Sequence, residues 1–221
     1  MPFCPTDRPR SRRITEGMAI THTGETRPKR RRRPPEEARR VVLEAARGLL
    51  LDKGPQALTL QGVAAAVGMT HGNITHHFGT SAALHAALVA DMAEAMAREA
   101  EASVQAMRAG AIGPDVVVAE IFEALNRGGY GRLVAWLAAS GDIATLEPFF
   151  SAVERAVRLL RAVEPAGTDP HARGTGPITF MLLAGALGAT LLGPELVRAT
   201  GLTEAAVQRL FVSQMQAIRA T

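Results

Sequence analysis

The sequence predicts an all-α protein of 221 residues. Apolar residues recur every three or four positions in one segment after another, which is the spacing of one face of a helix. Residues that start and stop helices separate these segments, and the strict apolar-polar alternation of a strand is missing. The predicted helices span residues 35–53, 59–67, 70–78, 81–108, 114–127, 130–140, 145–163, 178–199 and 203–219.

The first predicted helix carries signals at both ends. Pro34 and Pro35 stand at its start, ahead of two glutamates that face the positive end of the helix dipole. At its end, residues 53–55 supply a cation, a glycine for the cap and a proline that breaks the helix. These signals set its bounds at 35–53.

The next two helices are short, and a glycine joins them. Thr59 and Thr70 are N-cap residues, and Gly68 tolerates the positive φ that a tight turn requires. Ile74 and Phe78 lie one turn apart on the inner side of the third helix. Two capped helices around such a turn predict a helix-turn-helix.

The outer face of the third helix is polar. His71, Asn73, Thr75 and His76 are positioned to enter a major groove, and an Asn side chain is well shaped for adenine. Gly72 leaves room for DNA to approach the helix closely. A plain helical hairpin with a polar surface is the simpler interpretation, but the basic segment ahead of it favours DNA binding.

That basic segment is the N-terminus. Residues 1–34 hold ten of the 25 Lys and Arg residues and three of the 21 acids, so their net charge is +7 and that of the remainder is −3. Residues 1–33 have almost no apolar periodicity and are predicted to be a disordered arm, whether translation starts at Met1 or Met18. The arm ends in Lys29, Arg30, Arg31, Arg32 and Arg33, which can reach a minor groove or the phosphate backbone. A solvated tail that only aids solubility is the alternative.

The stretch ALTLQGVAAAVGMTHGNITHHFGTSAAL, residues 57–84, resembles the DNA-binding head of the TetR family of bacterial transcriptional regulators. The resemblance implies a helical C-terminal domain, a homodimer built on the last two helices and a ligand cavity behind the fourth. It divides the chain into the arm (1–33), a helix-turn-helix domain (34–82) and an effector-binding and dimerisation domain (83–221).

The resemblance also assigns roles to single residues. Thr59 matches the family's phosphate-contacting threonine, Gly72 matches the glycine of its recognition helix, and His77 belongs to a frequent His-Phe pair. Thr75 stands where a tyrosine is usual and Ser81 where a phosphate-binding lysine is usual, so we expect the arm to compensate. Besides the five arm cations, the predicted DNA-binding residues are Thr59, Gln61, Thr70, His71, Gly72, Asn73, Thr75, His76 and His77.

The last two helices are strongly apolar. Residues 175–194 carry no charge and approach the length of a membrane span, but prolines and glycines interrupt them, so a buried interface helix is predicted instead. An apolar patch of this size favours self-association, although an ordinary internal core is the alternative. The resemblance favours a dimer.

Apolar side chains of the middle helices are candidates for lining a ligand cavity. Met and aromatic side chains suit an apolar effector, and the few charges nearby disfavour a highly charged one. Each residue can equally belong to the ordinary core. The predicted lining residues are Met96, Phe122, Leu125, Trp136, Phe149, Phe150 and Met181.

Catalysis, a metal site and a cofactor are not expected. Ser140, Asp142 and His171 lack any nucleophile motif, and the histidines near the third helix lack metal-ligand spacing. One cysteine and no export signal fit the cytoplasm. The predicted function is a homodimeric repressor that binds a palindromic operator and is released by a small, mostly apolar effector. The alternative is a nonspecific, architectural DNA-binding protein that uses the basic arm and responds to no ligand.

Overall fold

A computed structural model describes residues 34–126, 129–162, 164, 166–169 and 174–220, and all regular structure among them is helical, which confirms the predicted fold class. The helices are α1 (Pro35–Lys53), α2 (Leu60–Val67), α3 (His71–Phe78), α4 (Ser81–Arg108), α5 (Pro114–Asn126), α6 (Tyr130–Ala139), α7 (Glu147–Arg161), α8 (Thr175–Thr200) and α9 (Glu204–Ala220). Short 3-10 turns over Pro55–Ala57 and Ile143–Leu146 precede α2 and α7.

The bounds of α1 follow from its capping residues. Pro35 opens it, where the missing N–H costs no helical hydrogen bond. Gly54 closes it with a φ of 84°, and its N–H donates to the carbonyl of Leu50 over 3.0 Å. Val42, Ala46 and Leu50 form the buried stripe that packs on α2 and α4.

Two later helices differ from the predicted bounds because of prolines. We predict a helix from residue 145, but Ile143–Leu146 is a 3-10 turn and α7 begins at Glu147, so Pro148 falls in the first turn, where proline is tolerated. Helix α8 begins at Thr175, three residues earlier than predicted, with Pro177 likewise in its first turn. The domain boundary between residues 82 and 83 stays a prediction, and the arm lies outside the described residues.

Helix α4 is the longest element and packs along α7. Their surface contact includes an ion pair between Arg155 Nη2 and Glu94 Oε2, 2.9 Å apart. Glu94 also forms an ion pair with Arg98, one turn further along α4, at 3.7 Å. The hydrogen bond and charge of Arg155 hold the pKa of Glu94 below its usual value.

Helices α8 and α9 pack closely at a glycine. A Cβ placed on Gly185 would overlap the Phe211 ring, so this position has room for hydrogen alone. The Phe211 ring in turn packs against Phe122 of α5, with the ring centroids 5.0 Å apart. Among the described helices, α8 is long and apolar enough by length and composition to cross a membrane, and 11% of its apolar window is buried within the chain.

Candidate nucleic-acid interface and effector cavity

The turn between α2 and α3 is built on Gly68. Its φ of 69° is left-handed, and the N–H groups of Gly68 and Met69 donate to the carbonyls of Ala65 and Ala64 over 3.3 and 3.0 Å. This pair of bonds satisfies the last carbonyls of α2. The chain can therefore reverse sharply into α3.

Two threonines begin the helices of this motif. Thr59 Oγ1 accepts from the N–H of Gly62 at 2.9 Å, and Thr70 Oγ1 accepts from the N–H of Asn73 at 3.3 Å. Because each hydroxyl accepts in its cap, its own hydrogen remains available to a phosphate oxygen. Both threonines are exposed, as is Gln61 at the start of α2.

Helix α3 has one buried face and one polar face. Ile74 and Phe78 are buried in the core of the helix-turn-helix domain, hereafter the head. His71, Gly72, Asn73 and His76 are exposed. In a helix-turn-helix the second helix is the one that enters a major groove, so these exposed residues of α3 are the candidates for contacting DNA. The polar face predicted for this helix therefore consists mainly of accessible residues.

Two of the predicted DNA-contact residues are less accessible to solvent than the others. Thr75 and His77 are half-buried, and the Thr75 hydroxyl donates to the carbonyl of His71 at 3.0 Å. A hydroxyl that donates to the backbone can still accept a hydrogen bond, but its donor is occupied. Lys29 to Arg33, predicted to hold phosphates, lie outside the described residues.

The open space around Gly72 is informative. A Cβ built there meets no heavy atom within 4 Å, and its φ is not positive. Neither the turn nor the core therefore requires glycine, although glycine lowers helix stability. A surface that approaches α3 from outside is a reason for a glycine at this position.

Arg39 is a residue of the head that sequence reasoning missed. Its Nη1 donates to the carbonyl of His77 at 3.2 Å, and its guanidinium carbon lies 4.6 Å above the centre of the Phe78 ring. A cation at the C-terminal end of α3 satisfies a terminal carbonyl and opposes the negative end of the helix dipole. The partners are 38 positions apart in the sequence, so no local pattern indicates this contact.

A cavity of about 910 Å³ lies behind the head, bordered mainly by α4, α5, α7 and α8. Small and aliphatic side chains dominate its lining, with three glutamates and one arginine among them. Its lining includes Met92, Ala95, Met96, Ala97, Glu99, Ala100, Val104, Val116, Ala119, Glu120, Ile121, Glu123, Ala124, Tyr130, Val153, Ala156, Leu160, Leu183 and Arg47.

Of the seven predicted lining residues, one lines this cavity and six lie elsewhere. Met96 lines this cavity. Phe122, Leu125 and Phe149 are buried in the core. Trp136 and Met181 are half-buried and pack against that core, and Phe150 is exposed.

Tyr130 connects the cavity to α4. It lines the cavity and is itself almost wholly buried, and its hydroxyl donates to the carbonyl of Val89 at 3.4 Å. Burial disfavours the phenolate and so raises the pKa of Tyr130 above its ordinary value of 10.0. The side chain is thus a neutral donor in this wall.

Comparisons with known proteins agree with this geometry. Residues 42–88 match the family model of bacterial regulatory proteins, tetR family. No curated protein matches the chain. The multidrug binding protein EbrR, solved in complex with imidazole, is similar in fold, with a TM-score of 0.57 and 23% identity over 79% of this chain and 93% of that one.

A second similar structure is a protein from Mesorhizobium loti MAFF303099 described as a TetR-family transcriptional regulator. Its TM-score is 0.57 and its identity 16%, over 86% of this chain and 98% of that one. At such identities the two structures show the shared fold, and the family match runs from within α1 to the second turn of α4, a stretch that contains the helix-turn-helix. The chain thus carries a helix-turn-helix segment similar to that of bacterial regulatory proteins of the tetR family, and it shares the fold of the two solved structures.

Proposed function

We propose that this protein is a cytoplasmic, homodimeric repressor that binds a palindromic operator and releases it when a small, mostly apolar effector occupies the cavity. The observation that carries the proposal is the exposed polar face of α3, with Gly72 open at its centre, in a helix-turn-helix whose other face is buried. In this proposal α3 enters the major groove and the arm holds phosphates.

Unburied apolar surface on the last two helices supports the proposed dimer. Phe180 is 77% exposed, and Leu191, Leu192, Leu196 and Leu210 are each more than half exposed. These side chains lie on α8 and α9, and a soluble monomer rarely leaves so many large apolar residues in water. A twofold pair of α8–α9 hairpins would cover them and set two heads on successive major grooves.

A membrane could also cover the apolar surface of α8. Against that, Gly185 receives Phe211 from α9, and Pro194 lies within the helix. Glu195 and Arg198 then form an ion pair in the last two turns. We therefore propose a second copy of the chain as the occupant of this face.

The side chains that line the cavity indicate the chemical class of the proposed effector. Met, Val, Ile, Leu and Ala side chains favour an apolar body, and Glu99, Glu120 and Glu123 outnumber Arg47 among its charged residues. Carboxylates repel an anion and tolerate a neutral or positively charged group. We propose a neutral or cationic apolar molecule, whose binding shifts α4 and changes the spacing of the two heads.

DNA binding is tested by selecting a preferred duplex from random sequences and measuring its affinity by fluorescence anisotropy at moderate salt. A specific regulator prefers its operator over unrelated DNA by about 10³-fold or more. Equal affinities would instead identify the architectural binder. Removing residues 1–33 should flatten the dependence of log K on log salt by up to about nine units for two arms, and an unchanged slope would exclude the arm as a phosphate contact.

Effector release is tested with apolar compounds of matched size that are cationic, neutral or anionic. Neutral or cationic compounds should release the labelled operator more readily than anionic ones. The variant Ala119→Leu narrows the cavity and should resist release, whereas Ala138→Leu, on the exposed side of α6, is its control. If a compound with verified binding leaves operator affinity unchanged, the ligand response is refuted.

A further inference from the structure

A buried histidine joins the helix-turn-helix head to the helices behind it. His85 lies in the second turn of α4, and its Nε2 is 2.7 Å from the carbonyl oxygen of Leu58, in the connection between α1 and α2. A carbonyl can only accept, so Nε2 carries a hydrogen and donates it. Both residues are buried, with Leu58 1% exposed.

The other side of the His85 ring faces α6. The Trp136 ring meets it edge to face, with the centroids 5.4 Å apart and the planes at 87°. One imidazole thus touches the head through a directional hydrogen bond and α6 through an aromatic contact. Trp136 is the single tryptophan of the chain.

Helix α6 also touches the head at its N-terminal end. A Cβ on Gly129 would lie 3.1 Å from Leu50 Cγ of α1, and a Cβ on Gly54 would lie 2.9 Å from Arg132 Nη2. The end of α1 therefore fits closely against the start of α6. These contacts hold the head and α6 together by close packing. The His85 hydrogen bond, in contrast, fixes the orientation of the head relative to α4.

We propose that His85 is a positioning residue that sets the angle of the head against α4 and α6, and through it the spacing of the two heads on DNA. The inference rests on the proposed homodimer. Apolar contacts are not directional, so they fix the angle of the helix-turn-helix domain less sharply than a hydrogen bond does. A buried donor aimed at one carbonyl restricts that motion, since any tilt leaves both polar groups unpaired in the interior.

The test uses the full chain and its selected operator, with versions that carry two base pairs inserted or removed between the half-sites. A rigid pair of heads loses the benefit of bivalent binding when the spacing is wrong, so the wild type should lose affinity by about tenfold or more. His85→Phe keeps an aromatic ring without the donor and should lose less than about threefold. His85→Gln can still place a donor near the Leu58 carbonyl and should restore the wild-type spacing penalty.

Two controls separate positioning from general stability. Val118→Ala weakens the core in α5, away from the head, and should keep the wild-type spacing penalty. His85→Met fills the site with a flexible apolar chain and serves as a second variant without the donor. Circular dichroism and a cooperative thermal transition identify which of the two variants folds, and a folded one decides the test.

The outcomes distinguish this inference from the function on which it rests. A wild type that binds every spacing equally well refutes the paired heads, and with them the role of His85. A wild type that discriminates, together with a folded His85→Phe or His85→Met that discriminates equally, refutes the positioning role alone. Affinity for a single half-site should be the same in all variants, because the face of α3 is unchanged.

Discussion

Replacing Gly72 by alanine should stabilise the free protein and weaken its hold on DNA. The added methyl group meets no atom within 4 Å, and the residue sits in α3 without a positive φ, so the substitution causes no internal clash. In a helix, alanine is favoured over glycine because glycine loses more backbone entropy on folding. The same methyl group would project from the face that we propose to meet the operator.

The expected size of each effect follows from the position. Replacing glycine by alanine within a helix raises the free energy of unfolding by about 0.5–1 kcal/mol. The lower value applies near the helix start, where Gly72 lies. For a chain of this length that corresponds to a rise in Tm of about 1–4 °C. An operator affinity lowered by about tenfold or more would correspond to a loss of about 1.4 kcal/mol in the complex.

The assay combines thermal unfolding of the free protein with anisotropy of a labelled operator. Gly48→Ala is the matched control, because Gly48 is another exposed helical glycine with open space around it, in α1. It should raise Tm and leave operator affinity unchanged. A Gly72→Ala variant that is more stable and binds as tightly as the wild type would refute the assignment of this face to DNA.

Three further predictions follow from other contacts. Arg39→Ala removes the hydrogen bond to the His77 carbonyl and the cation over Phe78, so stability should fall by about 0.5–1 kcal/mol and operator affinity with it; equal affinity on the selected operator would count against this role. Gly185→Ala forces Phe211 to move and should cost about 1–3 kcal/mol in denaturant unfolding, so an unchanged midpoint would contradict the close packing of α8 and α9. Burial raises the pKa of Tyr130, so its contribution to stability is fully present below the unfolded value of 10.0 and is lost as the pH rises through the folded value. Alkaline titration of the urea midpoint should show this loss in the wild type and not in Tyr130→Phe.

Most of the fold was predictable because its signals are local. Thr59 and Thr70 sit within three residues of the amides that they cap, and Gly68 supplies its positive φ by itself. The start of α7 was predicted less well. There Pro148 decides the helix start, while the residues before it form a 3-10 turn that periodicity cannot distinguish from a helix.

The contacts of the site were less predictable because they join distant residues. Arg39 meets α3 across 38 residues and His85 meets Leu58 across 27, and neither pair leaves a pattern in the sequence. The cavity posed a different problem. The sequence predicts a lining of large adaptable side chains, but bulky residues such as Phe122 and Leu125 fill the core. The space is left where side chains are small.

That small-residue lining has a consequence for how the protein can change. Ala95, Ala100, Ala119, Ala124 and Ala156 border the cavity, while Phe122, Leu125 and Phe149 hold the helices together. Enlarging one of these alanines extends a side chain into empty space and leaves the packed rings in place. Under the proposed function, changes in effector preference can therefore accumulate one substitution at a time without the stability loss that usually accompanies a change in a protein interior. Selection, natural or in the laboratory, could then alter which effector binds while the helix-turn-helix domain stays the same.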